Sequence, residues 1–479
     1  MRLKVAPGDF RVRESLDFVE DRSGPFFVHH LRKEKLDTLE AIRIVAARAG
    51  VDRAKISFAG LKDRQGVTEQ WISIEGARVD FRERGLDVRF VGRSMQPVTS
   101  KLSGGNDFAI VIRDLDDREL RRLDERLPEL ARDGFANFFD DQRFACLRHD
   151  QGFVMKDVLR GRYEAALKAL IARPSPRAIT GDVKLKRLLG EAWGNWARCR
   201  NIARGPVWQR LFDHLERAPD DFHGALALLP ARQKLIHAYA YQSYLWNRAV
   251  DLFLKRQVGT ARQLRVATLP GTLVTWRTLR PAERERLFAA DTPLCGPGQP
   301  GGDPDFASAT RRVLRDANLS GEAFETHRVP GMALREEPRS LGCVPIRLRA
   351  SAPERDDRHR GARMVELRFG LPRGSYATML IKHLFATVDR PRPLDFGEER
   401  SWQRREGRDS WDGEDEERGP RPDRARAPDR GRGPARGAAA DRGPRPDRAA
   451  RPDRVRDQDR GRDQDRGGRP DRNRNREDR

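Results

Sequence analysis

Apolar and polar residues alternate along two short runs, residues 55–59 (KISFA) and 70–74 (QWISI), the period-two pattern of half-buried strands. Gly60 and Gly66 bracket the polar stretch between them, so the text predicts two strands joined by a loop that presents its side chains at the end of a sheet. Alternation around Phe10 and Val12, and again in PFFVHHL from Pro25 to Leu31, predicts two further strands, expected to pair as a hairpin. His29 and His30 are neighbours on the second of these and therefore point to opposite faces, an arrangement that does not favour a shared metal. Leu39, Ile42, Val45 and Ala46 recur at helical spacing between a capping Asp37 or Thr38 and a terminating Gly50, which predicts a helix.

Further along, VRFVG near Val88 and FAIVIRDL from Phe108 read as strands. KLSGGNDF between them reads either as a hairpin turn or as a Lys and glycine loop able to approach a phosphate. Leu120, Leu123, Leu127 and Leu130 align on a helix over Asp117–Asp133, which Pro128 is expected to kink or shorten. From about residue 150 to 320 the periodicity is helical, including a run of about five turns over residues 235–254 whose Tyr241 and Leu245 read as core, and it breaks at the Gly and Pro cluster of residues 292–305. Strand-like text resumes at CVPIRLRA and MVELRFGLP, and GLPRGSYATMLIKHLF reads as a strand ending at Pro372, a cap at Ser375 and a helix. Beyond residue 390, R-P-D-R and D-Q-D-R units cannot bury enough apolar surface to offset chain entropy, so residues 391–479 are expected to be a disordered Arg/Asp/Gly/Pro-rich tail.

Charge sharpens this outline. The chain has 479 residues and a formal net charge of +22; 26 of its 95 basic residues lie in the tail against 22 acidic ones, leaving residues 1–390 at about +18. The excess belongs to the globular part, which points to a polyanionic partner such as nucleic acid. Cys146, Cys199, Cys295 and Cys343 are far apart and form no C-x-x-C pair, so neither a disulfide framework nor a zinc site is indicated. The first residues lack the apolar run of a signal peptide, and no apolar stretch is long enough for a membrane helix, so a soluble cytoplasmic protein is expected.

Two stretches carry candidate chemistry. In GLKDRQGVTEQW, residues 60–71, Asp63 lies between Lys62 and Arg64, and nearby cations favour the ionised carboxylate. Such a group can be a nucleophile, a general base, half of an ion pair or, most blandly, part of a solvated charge cluster. In NFFDDQRFA, residues 137–145, exposed aromatics beside an arginine would suit an extruded base; the alternative is that Phe138, Phe139 and Phe144 are core residues on a strand.

The first stretch resembles the G-x-K-D-R-x-x-x-T-x-Q motif of the TruD family of tRNA pseudouridine synthases, matched by Gly60, Lys62, Asp63, Arg64, Thr68 and Gln70. The second resembles that family's N-[YF]-F-G-x-Q-R-F-G, with Asp140 and Ala145 standing where the family has glycine. A third, F-x-L-P-x-G-S-[YF]-A-T, is matched from Phe369 to Thr378, and the opening residues match F-x-V-x-E at Phe10, Val12 and Glu14 and K-x-x-x-x-T at Lys33 and Thr38. The resemblance implies an α+β pseudouridine synthase fold, a mixed and mainly antiparallel sheet flanked by helices. Its catalytic domain would comprise residues 1–149 and 326–390, interrupted by an inserted helix-rich domain at 150–325 across a basic cleft. It implies a monomer that isomerises a tRNA uridine, at position 13 in the D arm, without cofactor or metal. Asp63 would be catalytic, with Asn137, Phe139, Lys62, Arg64, Gln70 and Phe369 at the substrate. The rival readings are a non-catalytic RNA-binding protein that keeps the fold, which Asp140 and Ala145 leave open, and a synthase acting on another RNA.

Because Arg and Asp nearly cancel in the tail, removing residues from about Arg400 onward is expected to leave turnover on tRNA within a few-fold and to shift only the salt dependence of binding. Loss of single-turnover activity in a folded truncated protein would make the tail part of the site.

Overall fold

The computed structural model describes residues 1–148, 152–174, 180–389 and 391–396. Its strands are β1 (Arg2–Leu3), β2 (Phe10–Leu16), β3 (Phe26–Glu34), β4 (Ile56–Phe58), β5 (Val67–Glu75), β6 (Phe81–Glu83), β7 (Leu86–Ser94), β8 (Ser103–Leu115), β9 (Phe135–Ala136), β10 (Gln263–Thr268), β11 (Gly271–Trp276), β12 (Gly342–Cys343), β13 (Ile346–Ala350), β14 (Glu354–Arg355), β15 (Arg363–Leu371) and β16 (Asp395–Phe396). Twelve of them form one sheet whose main path runs β13-β15-β8-β2-β5-β3-β7-β6, with β4 on β5, β14 on β15, and β1 on β8 and β16. Its pairings are antiparallel except β2 with β5 and β1 with β16.

One side of the sheet is closed by the helix Thr38–Ala49. Asp37 caps it through Leu39 N at 2.8 Å and Gly50 ends it at φ 66°, and its Ala41, Ile42 and Val45 bury against Leu31, Ile72, Ile74 and Val88. Each such side chain taken wholly out of water contributes about 1.5–3 kcal/mol before entropy is counted, which is why the helical stripe and the strand alternation could be read together. The β2, β8 and β15 region instead packs against Leu123 and Leu130 of the helix Asp117–Asp133, the helix Ala377–Leu384 and the segments that follow β9.

Between β9 and β12 the chain is mostly helical, as its periodicity predicted, and the helix Ala231–Gln257 buries Tyr241, Leu245 and Trp246. The same region holds the β10–β11 hairpin, which the helical periodicity around it concealed. This hairpin is joined to the residues that follow the helix Ala377–Leu384, with Arg265 N donating to Thr387 O at 2.7 Å, so the segment is tied into the rest of the fold.

Several expectations are corrected. The strands β2 and β3 do not form a hairpin, because β5 lies between them, parallel to β2 and antiparallel to β3. Gly104 and Gly105 form no turn: β8 begins at Ser103, and Gly105, at φ 137°, sits where a Cβ would come within 2.5 Å of Leu371 O. The helix Asp117–Asp133 is not shortened by Pro128, which lies inside it. Ser375 is not the cap of the last helix, whose first residue follows Tyr376. Residues 395 and 396, placed in the tail by composition, pair with β1, with Leu394 and Phe396 packed on the core; residues 397–479 lie outside the described residues.

The four cysteines are buried and free. Among the described residues, no helix is long and apolar enough to cross a membrane and no group of three or more His, Cys, Asp or Glu is placed to hold a metal.

Gly66 ends the loop before β5 and lies so close to β2 that a Cβ would stand 2.2 Å from Phe10 O. Gly66→Ala must push two paired strands apart and is expected to cost about 1–3 kcal/mol in urea unfolding. An unchanged midpoint would contradict the close approach.

Candidate active site

The loop between β4 and β5 is held from beneath. Thr38, first residue of its helix, accepts from Lys62 N at 3.0 Å through Oγ1, which also lies 3.2 Å from Gln70 Oε1. Lys33 shares a face of β3 with the buried Leu31, so its ammonium is delivered under the loop. There it donates to Leu36 O at 2.9 Å, Asp63 O at 2.8 Å and Lys62 O at 3.3 Å.

This clamp presents Asp63, whose side chain is only 10% exposed. Asp63 Oδ2 forms an ion pair with Lys4 Nζ and accepts from Gln142 Nε2 at 3.3 Å, while Oδ1 accepts from Gln65 N at 2.9 Å. Burial pushes the Asp63 carboxyl up. The charge and hydrogen bond of Lys4, the Gln65 amide and the charge of Lys33 outweigh it, holding the group below its ordinary value. Lys4 reaches this position at φ 55°, a left-handed conformation that costs a residue with a side chain about 1–3 kcal/mol. Its ammonium also sits 4.1 Å from the centre of the Phe10 ring.

The cations beside Asp63 in sequence do not do this work. Lys62 turns away to the buried Glu14, 2.5 Å from Oε1, and Glu14 Oε2 in turn accepts from Trp71 N at 3.1 Å. Arg64 is half-buried and has no ion-pair partner among the described residues. Gln70 is fully buried in the Thr38 contact, so it supports the loop from inside. Adjacent side chains on extended backbone diverge, which is why flanking charge pointed at the wrong residues. Lys4 carried no signal in the sequence, and Lys33 was marked only by its match to the family's K-x-x-x-x-T step.

Gln142 joins the second stretch to Asp63, but that stretch is neither exposed nor a strand. Phe138, Phe139 and Phe144 are all buried, the first two in an irregular segment after β9 and Phe144 at the end of the short 3-10 turn that follows. Asn247, on the helix Ala231–Gln257, grips the Phe139 main chain at both ends, accepting from its N at 3.0 Å and donating to its O at 2.8 Å. The Phe139 ring makes T-shaped contacts with Trp246 and Tyr376, and the Arg339 guanidinium lies over it with Cζ 3.8 Å from the centre. Asn137 donates Nδ2 to Ser340 O at 3.2 Å, while its Oδ1 is buried without a partner.

The two departures from the family motif are absorbed. Asp140 has φ −102° and Ala145 φ −54°, regions open to any residue, so no glycine is needed there. The Asp140 carboxylate is not free to repel Asp63, because Lys382 Nζ stands 2.5 Å from its Oδ1 and 2.8 Å from Asp141 Oδ2. Burial pulls the Lys382 ammonium down, but the two carboxylates outweigh it and its ionisation is raised. Phe369 is buried in β15, stacked at 5.4 Å on its cross-strand partner Phe108, which meets Phe10 edge-on at 6.3 Å. All three stretches are thus linked to one carboxylate: directly, through Gln142, and through Phe108, Phe10 and Lys4. An ionised, sparingly exposed carboxylate of this kind can act as a nucleophile or as a base.

A family model for tRNA pseudouridine synthase D (TruD) matches residues 1–384. The tRNA pseudouridine synthase D of Aquifex aeolicus is 29% identical over 398 residues, covering 81% of this chain and 98% of that protein. The protein of the same name from Leptospira interrogans is 26% identical over 395 residues, covering 80% and 95%. The Methanosarcina mazei TruD crystal structure superposes with a TM-score of 0.61 at 23% identity, over 81% of this chain and 94% of that one, a likeness of fold.

Burial, opposed by Asp63 and Asp37, pulls the Lys33 ammonium from its ordinary 10.5 down to about 8. Below about pH 8 the group is charged in folded and unfolded chains alike. Between about 8 and 10.5 only the unfolded chain keeps the proton, so this residue's contribution to stability rises with pH across that window. Urea unfolding of the protein and of Lys33→Met at pH 7.5 and pH 10 is expected to show their stability gap widening by about 1–3 kcal/mol toward high pH. A gap that is constant or shrinks would place the Lys33 titration elsewhere.

Proposed function

The chain belongs to the TruD family of tRNA pseudouridine synthases, and from that premise we propose that it isomerises a uridine of tRNA to pseudouridine, at position 13 of the D arm, with Asp63 as the reacting group. The observation that carries this reading is the burial of an ionised carboxylate against Lys4, where the family's three stretches converge. The proposed reaction is placed in the cytoplasm, and the +18 of residues 1–390 suits a phosphate-rich partner.

The reaction detaches uracil by breaking its N1–C1′ bond, turns it in place and rejoins it through C5. Asp63 serves either by attack at C1′ or C6 or by taking a proton from C2′; each route needs the ionised form that Lys4 maintains. The Gln65 amide and Gln142 orient the two oxygens. Asn137, whose Oδ1 is an acceptor without a partner, suits the N3–H of a uracil edge, and Phe139 and Phe369 supply aromatic surface. Arg64 is the flanking cation left for a phosphate, whereas Lys62 and Gln70 position the loop. The Phe139 ring is only 5% exposed, so a base that stacks on it displaces part of its cover. Excluding water from the site protects the opened sugar from hydrolysis.

Asp63→Asn keeps shape and most hydrogen bonds but cannot act as a carboxylate. It is expected to bind tRNA as the parent does and to form no pseudouridine. Joining C5 to C1′ expels the C5 hydrogen, so tritium placed there enters water once per turnover. Near-normal tritium release by a folded Asp63→Asn protein would remove Asp63 from the chemistry, and a parent protein that binds tRNA but releases none would favour a non-catalytic RNA-binding role.

A further inference from the structure

Arg339 is an arginine without an acid. Its guanidinium is fastened by main-chain carbonyls: Nη2 and Nε donate to Asn137 O at 2.6 and 3.2 Å, and Nη1 and Nη2 to Gly374 O at 3.2 Å. One side lies on the Phe139 ring, and the Trp246 ring centre is 5.0 Å away. No acidic side chain of the described residues pairs with it, and its largest electrostatic neighbours are Tyr376, Arg143 and Cys343. Burial pulls its ionisation down to about 10, which still leaves it charged at neutral pH. Arg143, the second cation at this ring, has its Nε buried without a hydrogen-bond partner. A carboxylate would cancel such a charge, whereas carbonyls hold the group still and leave the field in place.

We infer that Arg339, joined by Arg143, is a positioning residue whose uncancelled charge behind Phe139 stabilises the uracil as it leaves the sugar as an anion. The inference rests on the synthase reading above. When the C1′–N1 bond breaks, its electron pair stays on the base and spreads to O2 and O4. C1′ is then satisfied either by an Asp63 oxygen or by the electron pair of the C2′–H bond, whose proton Asp63 takes. In the second half the C5 electrons form the C5–C1′ bond. Either the Asp63–C1′ bond breaks or Asp63 returns the proton to C2′; the C5 proton then leaves to solvent and N1, freed from the sugar, takes a proton from solvent. Negative charge on the base is therefore greatest midway, while the base is proposed to rest on the ring that Arg339 backs. A fixed cation at that distance, in a site closed to water, acts on the intermediate and not on the neutral uridine.

The test uses tRNA carrying uridine or 5-fluorouridine at the target. The fluorinated ring is the stronger acid, leaves more readily and needs less help. Single-turnover consumption of the target nucleoside, followed by digestion and mass spectrometry, is compared for the parent protein, Arg339→Met and Arg339→Lys. Arg339→Met is expected to slow the uridine reaction about tenfold to hundredfold, and the fluorinated one at least about fivefold less, with tRNA affinity unchanged and Arg339→Lys recovering most of the loss. Equal losses on both substrates, or none, would overturn the inference while leaving the synthase reading intact. A parent protein that consumes neither substrate would overturn both. If Arg339→Met fails to fold, Arg143→Gln carries the test, since that side chain reaches the same ring without holding the backbone; the same selective loss is expected, and an equal loss decides against the inference.

Discussion

A carboxylate can be taken out of water and stay ionised only if cations are brought to it, and those cations must be buried in turn. Asp63, Lys4 and Lys33 meet that constraint together. Lys4 spends its charge directly on the carboxylate, Lys33 on the main chain that carries it, and neither could be removed without stranding a buried charge or three carbonyls. The left-handed backbone of Lys4 is the local cost of reaching the site. Most of the neighbouring polar contacts serve the same end: Thr38 and Gln70 fix the loop, and Glu14 draws Lys62 aside so that it does not crowd the carboxylate.

The aromatic side of the site is held by the chain between β9 and β12. Asn247 and Trp246 sit on a helix more than a hundred residues from Phe139, yet they grip its main chain and bracket its ring. Asp140 shows how such a site tolerates an ionisable residue where the motif it resembles has glycine. The backbone there is extended, and Lys382 from the helix Ala377–Leu384 neutralises the carboxylate, so Asp140 does not repel Asp63 and instead ties the stretch to that helix. Breaking a buried pair of this kind by removing one partner typically costs about 3–5 kcal/mol, and the fold has therefore come to depend on it.

The elements legible in the sequence were those whose cause is local. The strand–loop–strand around Asp63, the capped helix before it and the long helix over Tyr241 and Leu245 all follow from periodicity within one turn or one strand. Partnership was not legible. Alternation says that β2 and β3 are strands but not that β5 divides them, because the pattern fixes which face a side chain takes and leaves open which strand lies beside it. Pro128 does not shorten its helix, and Leu123 and Leu130 on either side of it are buried in the core.

Asp63 itself, its loop and its place at the end of a sheet were determined by the sequence, since a short polar run between glycines and alternating strands has few other ways to fold. So was the basic character of residues 1–390. What only the tertiary structure decided is which charges meet. Lys62 and Arg64 flank Asp63 in the chain, but Lys4, 59 residues away, pairs with it; Arg339 comes to rest on Phe139, and Lys382 on Asp140. Electrostatic pairing depends on distance through space at a few ångströms, and that distance is set by the register of strands and the packing of helices, neither of which is written at the positions that end up in contact.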